Sequence, residues 1–244
     1  MVEREREAAR RGLNVRLAVR ALLFVGASAS VGCGTMNLAR TLGRGNTELA
    51  GSVGGPLLAL GPAVFPTPQT RVGVRHGVTD DIDVMGHVAL DGFGSAFLAL
   101  DAGVVGQMTR TRGGFAMSLS SRLHLVVDLN DAVAPRVFPE VGLHLEHPLD
   151  TWGSFFFGLG GVGQIDPPRD RPFLFLSPYV GLEVFLDPQT NAAGEAVERT
   201  GFALQLGWIN PWDDTTTLVR YVPDGAGAIT LLLSLRHRFG GIDR

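Results

Sequence analysis

The chain has 244 residues, with 21 basic and 24 acidic side chains, a formal net charge of −3, a single cysteine and 33 glycines. The slight acidity argues against a nucleic-acid partner, and one cysteine excludes an intramolecular disulfide or a thiolate zinc site. Every basic residue is arginine, and helix formers do not group at a 3.6-residue period, so the chain beyond its N-terminal segment reads as all-β.

Residues 1–32 carry the parts of an export signal. Arg10, Arg11, Arg16 and Arg20 precede a short apolar core, Ala21 to Val25, and then the small residues Gly26 to Ser30. The core is too short to span a bilayer, which takes about 20 apolar residues. Ala27-Ser28-Ala29 is an A-x-A cleavage site for an ordinary signal peptidase. Ser30-Val31-Gly32-Cys33 resembles the bacterial lipobox, with Ser where Leu is usual, and this resemblance implies lipidation of Cys33 as the mature N-terminus. The expected organisation is a signal peptide at 1–32, a lipidated N-terminus and linker at 33–46, a β-barrel domain at 47–239 and a tail at 240–244.

Strand signals then follow in order. Arg71 to Val78 alternates apolar and polar, Thr79-Asp80-Asp81 supplies turn residues, and Ile82 to Asp91 alternates again, which predicts a hairpin. Similar segments fall at 47–55, 95–105, 115–129, 136–147, 152–163, 173–186, 200–209 and 227–239. The reading is about ten strands, between eight and twelve. Their lengths, about 9 to 14 residues, exceed the usual globular strand of 5–6 and suit a tilted membrane-crossing strand of about 9–11.

Charge keeps to one face. Val137, Val141, Leu143 and Leu145 oppose Glu140, His144 and Glu146; Ile229, Leu231, Leu233, Leu235 and Phe239 oppose Thr230, Ser234, Arg236 and Arg238. Phe202, Leu204, Leu206 and Trp208 likewise share one side. In a transmembrane barrel the polar face turns inward. The expected lumen network is Arg71, Arg75, Asp83, His87, Asp91, Asp101, Arg122, His124, Asp128, Glu140, His144, Glu146, Glu183, Arg236 and Arg238, with both signs present to pair in a narrow lumen. Phe93, Trp152, Phe185, Trp208 and Phe239 sit near segment ends, as interfacial girdles require. The competing reading reverses the faces: a periplasmic lipoprotein with a soluble barrel or sandwich, in which Val84, Leu143 and Leu233 line a core or a cavity for an apolar ligand.

Gly77-Val78-Thr79-Asp80-Asp81-Ile82-Asp83-Val84, followed by Gly86, resembles a recurrent turn of bacterial outer-membrane β-barrel proteins. The last strand, Gly227 to Phe239, resembles their C-terminal signal, although five residues follow the Phe. The resemblance is to an architecture, an antiparallel up-and-down transmembrane barrel. It implies outer-membrane location, with membrane lipid and the barrel-assembly machinery as partners.

No catalytic motif is found, and the expected role is non-enzymatic: structural, adhesive or narrow-pore. Of six scattered histidines only His144 and His147 are close, and a three-residue offset on a strand sends them to opposite faces, so no metal site is expected. A lipid-modifying hydrolase is the third reading. It needs Ser118 or Ser120 within hydrogen-bonding reach of His124 or His144, with Asp128 as a further candidate, and there is no G-x-S-x-G elbow. The run Gly158 to Gly163 lacks the Lys-Ser/Thr of a phosphate loop and reads as inward glycines that leave room for bulky neighbours. No cofactor is expected, and no solute is named by the sequence. Connections at 164–172, 187–200 and 210–225, the last with Trp212, Asp213, Asp214 and Asp224, are the candidate binding loops.

Overall fold

The structure, a computed structural model, describes residues 39–60, 63–90, 97–109, 114–128, 135–150, 152–165, 173–190, 196–211, 222–223 and 226–240. Its strands are β1 (Thr47–Leu60), β2 (Ala63–Pro66), β3 (Gln69–Gly77), β4 (Ile82–Ala89), β5 (Phe97–Gln107), β6 (Ala116–Asp128) and β7 (Arg136–Leu149). After them come β8 (Gly153–Gly163), β9 (Leu174–Phe185), β10 (Pro188–Thr190), β11 (Ala196–Glu198), β12 (Thr200–Ile209) and β13 (Ala228–Phe239).

Among the described residues ten strands form one antiparallel sheet in the order β1-β3-β4-β5-β6-β7-β8-β9-β12-β13, and β13 pairs back onto β1 from Thr47↔Phe239 to Pro56↔Thr230. That closing seam removes both sheet edges. In hydrocarbon each unpaired backbone group costs several kcal/mol, so only a closed barrel lets strands cross a membrane. The two short hairpins lie outside the wall: β2 folds back on the far end of β1, and β10 pairs with β11.

Each pairing has a constant register. Carried round the ten strands, these registers bring Thr47 back opposite Ala59, a stagger of 12 residues. Ten strands with that stagger tilt by about 40° and enclose a backbone cylinder roughly 20 Å across, narrow enough for side chains to fill.

Period-two patterning decides which side chains fill it. β3 alternates buried Arg71, Gly73 and Arg75 with exposed Val72 and Val74. β12 alternates buried Gly201, Ala203 and Gln205 with exposed Phe202, Leu204 and Leu206. Outside, Val141 is 62% and Leu123 58% exposed; inside, Asp83 and Glu183 are at 0%. The soluble reading is therefore overturned. Val84 and Leu233 project from the outer wall, and Leu143 shares the outward parity of Val141.

Aromatic side chains mark both rims of the belt. Phe115, Trp152 and Phe239 stand at the termini-side end, where β1 begins and β13 ends, and Phe173 and Trp208 at the other, all exposed. Phe185 departs from the girdle expectation: it continues the inward parity of Glu183 and is half-buried. Phe93 lies outside the described residues.

Candidate functional site: a sealed polar lumen

The inward side chains fall into two charged layers whose heights follow from the registers. Nearer the termini lie Glu48, Arg75, Asp83, Glu146, Glu183 and Arg236. Nearer the opposite rim lie Arg71, His87, Asp101, Arg122, His124 and Glu140. All are buried except His87, which is half-buried.

In the lower layer Arg75 Nε stands 2.6 Å from Asp83 Oδ2. Arg236 Nη1 stands 3.0 Å from Glu48 Oε2, and its Nε pairs with Glu183, so one guanidinium ties β13 to both β1 and β9. In the upper layer Asp101 accepts from Arg71 Nη1 at 3.2 Å and pairs with His87 Nδ1 at 2.7 Å. His124 Nε2 pairs with Glu140. Arg122 lies within Coulombic reach of both Asp101 and Glu140. Isolated charges could not be held in so dry a space; each is kept by a partner of opposite sign or by hydrogen bonds.

Between the layers Ser120 Oγ lies 2.7 Å from His144 Nε2, and the other ring nitrogen meets the Tyr179 hydroxyl. Phe156 packs beside Tyr179, with ring centroids 6.3 Å apart. Inward glycines make room for these rings. A Cβ on Gly181 would stand 2.2 Å from the Phe156 ring, and one on Gly158 would stand 2.3 Å from the Tyr179 hydroxyl.

The chain itself enters the mouth at the termini-side end. Residues 39–46, which the sequence assigns to the stretch between anchor and barrel, turn into it, with Ala39 and Leu42 buried. Glu146 Oε2 accepts from the backbone N–H of Ala39 and Arg40, both at 3.2 Å, and its other oxygen pairs with Arg40 Nε. Gln107 Oε1 accepts from Thr41 N, and Asp83 Oδ2 accepts from Leu42 N at 2.9 Å. Arg75 Nη2 donates to Arg40 O, and Gly45 N to Gly77 O. Lumen carboxylates thus satisfy backbone donors that would otherwise be unpaired in a water-poor space.

Of the residues singled out from sequence, Arg71, Arg75, Asp83, Asp101, Arg122, His124, Glu140, His144, Glu146, Glu183 and Arg236 lie in the two layers or between them. His87 lies in the upper layer, half-buried, and the half-buried Arg238 flanks the lower one. Asp91, the side chain of Asp128, Cys33, most of the 164–172 and 210–225 loops and residues 191–195 of the 187–200 loop lie outside the described residues. Ser118 is buried and inward, next to Ser120 on the same parity of β6. His147 is exposed on the outer wall, opposite in parity to His144.

Sequence reasoning did not single out Glu48, Tyr179, Gln107, Ser154 or Asn210. Parity was the available signal for Tyr179, two steps of two residues before Glu183 on β9. Asn210 is fully buried and its Oδ1 accepts from Leu176 N, in place of a strand partner just past the end of β12.

The sequence matches no family model and no curated protein. Among solved structures, the chain is similar to OccK11 (OpdR) of Pseudomonas aeruginosa at 10% identity, over 84% of this chain and 68% of that one, with a TM-score of 0.34. It is similar to OprG of the same organism at 9% identity, over 84% and 100%, with a TM-score of 0.34. It is also similar to the translocator domain of the autotransporter NalP of Neisseria meningitidis at 10% identity, over 96% and 98%, with a TM-score of 0.32. The chain's own geometry, a closed sheet that is apolar outside, charged inside and ringed by aromatics at both rims, is the architecture of the outer-membrane β-barrel proteins.

Proposed function

We propose that this protein is a non-enzymatic resident of a bacterial outer membrane, exported by its N-terminal segment and inserted with its termini toward the periplasm. Its barrel is closed at rest, and its role is structural. The observation that carries this reading is the burial of the lumen charges: in a water-filled channel Arg122, Glu140, Asp101 and Arg236 would be wet, and here each is under 9% exposed. Of the four connections at the termini end, 78–81 and 150–152 are as short as periplasmic turns, and 108–115 and 186–199 are longer. Lipidation of Cys33 would add an anchor to a chain that its strands already hold in the bilayer.

The Ser120–His144 contact meets the hydrogen-bonding condition of the hydrolase reading. It lies, however, in the dry interval between two ion-paired layers, above a mouth filled by residues 39–46. A hydrolytic serine needs an approach for substrate and donors for an oxyanion. Polar packing accounts for the contact with no further requirement.

Fractionation of the host tests the proposal. The protein should sediment with the outer membrane, stay there after a carbonate wash, and migrate faster unheated than boiled on a denaturing gel. Recovery in the soluble periplasm, or identical mobility in both states, would sink it.

A further inference from the structure

Among the described residues the outer wall is mostly apolar, with Ser121 and His147 as isolated polar positions and one contiguous polar row. At the level just above the termini-side aromatics, the outward positions include Ile82, Met117, Phe155 and Val184. Across the closing seam the same level instead carries Thr200, His237, Thr47 and His76, on the successive strands β12, β13, β1 and β3. Both histidines are exposed. Thr47 Oγ1 lies 2.8 Å from His76 Nδ1, and Thr200 Oγ1 lies 3.0 Å from His237 Nδ1. The His237 ring is also held edge-on against Phe239, centroids 4.6 Å apart.

A lipid-facing polar row has a cost in hydrocarbon that an apolar residue would avoid. Two features give it a use. Each threonine hydroxyl can donate into Nδ1, which puts the ring proton on Nε2 and leaves an N–H donor on both imidazoles. Arg44 adds a fixed positive charge on the His76 flank of the row; it is exposed, and its backbone N–H reaches the Asp80 carboxylate in the turn that follows His76. Asp80 is the acidic group on that flank, set in the turn below the row. Above the row, Leu49, Val53, Val74, Leu233 and Leu235 form an unbroken exposed apolar track. Donors and positive charge at the edge of an apolar track complement an anionic phosphodiester with acyl chains.

We propose that this seam is a specific site for a phospholipid of the termini-side leaflet, its phosphate and headgroup oxygens met by the row of donors His76, His237 and Arg44 and its chains lying along the Leu49–Leu235 track. The proposal rests on the membrane-barrel reading above.

Native mass spectrometry of the full chain refolded into phosphatidylethanolamine/phosphatidylglycerol nanodiscs tests it. The wild type should retain a phospholipid that the His76→Leu/His237→Leu variant loses by about tenfold in bound fraction, as expected for lost hydrogen bonds to a charged group. His147→Leu, an outward histidine on the far wall, should leave retention unchanged. In phosphate-free galactosyl diacylglycerol the wild type should show no retained lipid, and inorganic phosphate should not displace the bound phospholipid. Both leucine variants favour a lipid-facing wall, so folding is checked by heat-modifiable mobility. Equal retention by a folded double variant would overturn the site and leave the barrel reading standing. So would retention of the galactolipid, displacement by inorganic phosphate, or loss of a dimer with lipid unchanged, which would make the seam a contact between copies. A wild type that is neither heat-modifiable nor lipid-bound would overturn both.

Discussion

Arg236 shows what a single residue does in this lumen. Its guanidinium is shared between Glu48 and Glu183 on opposite sides of β13, and all three side chains are buried. Arg236→Met keeps volume but leaves two carboxylates without their shared partner. The expected loss is about 3–5 kcal/mol, the usual cost of breaking a buried pair from one side, measured by urea unfolding in detergent micelles. A loss under about 1 kcal/mol would mean that water reaches this layer, as it does for exposed pairs. At this scale the sequence shows parity and charge, so Arg236 is readable as inward-facing. It does not show partners: that Arg236 reaches Glu183 on β9, two strands away, depends on the curvature of a closed wall. Tyr179 shows the same limit. Its parity is plain, but its contact with His144 exists only because glycines at 158 and 181 leave the space.

Among elements, the strands of the wall carry their own signature. Long period-two runs with charge on one side placed ten segments, and the ten barrel strands lie on them; the earliest, at 47–55, extends to Leu60 as β1. The elements that escaped are those without a period. β2 is four residues, Ala63–Pro66, in a proline-containing apolar run, and β10 and β11 are three residues each. Residues 39–46 escaped for a different reason: they are held by backbone N–H groups bonded to carboxylates about 40 to 107 residues away, which no local pattern encodes. The orientation of the strands makes a depth-dependent prediction. Leu233 lies midway between the aromatic rims, and Val78 at the termini-side edge, both exposed. Leu233→Arg should destabilise the barrel by about 2–4 kcal/mol and Val78→Arg by about 0–1 kcal/mol, in unfolding titrations from phospholipid vesicles. Equal costs at the two sites would place the membrane elsewhere on the wall.

Over the whole molecule, closure and filling are one property. A stagger of 12 residues over ten strands sets a cylinder that arginine, glutamate and histidine side chains can bridge, and groups of opposite sign pair within each layer. Residues 39–46 then enter the end where the layers are most charged. A wider barrel of the same strands would leave these groups wet and unpaired, and a soluble one would have its faces reversed. The central claim is that the lumen is closed at rest, and planar-bilayer conductance of the refolded full-length chain tests it most directly. The structure predicts no sustained channel current across the physiological voltage range. A steady wild-type conductance that scales with salt concentration would contradict it.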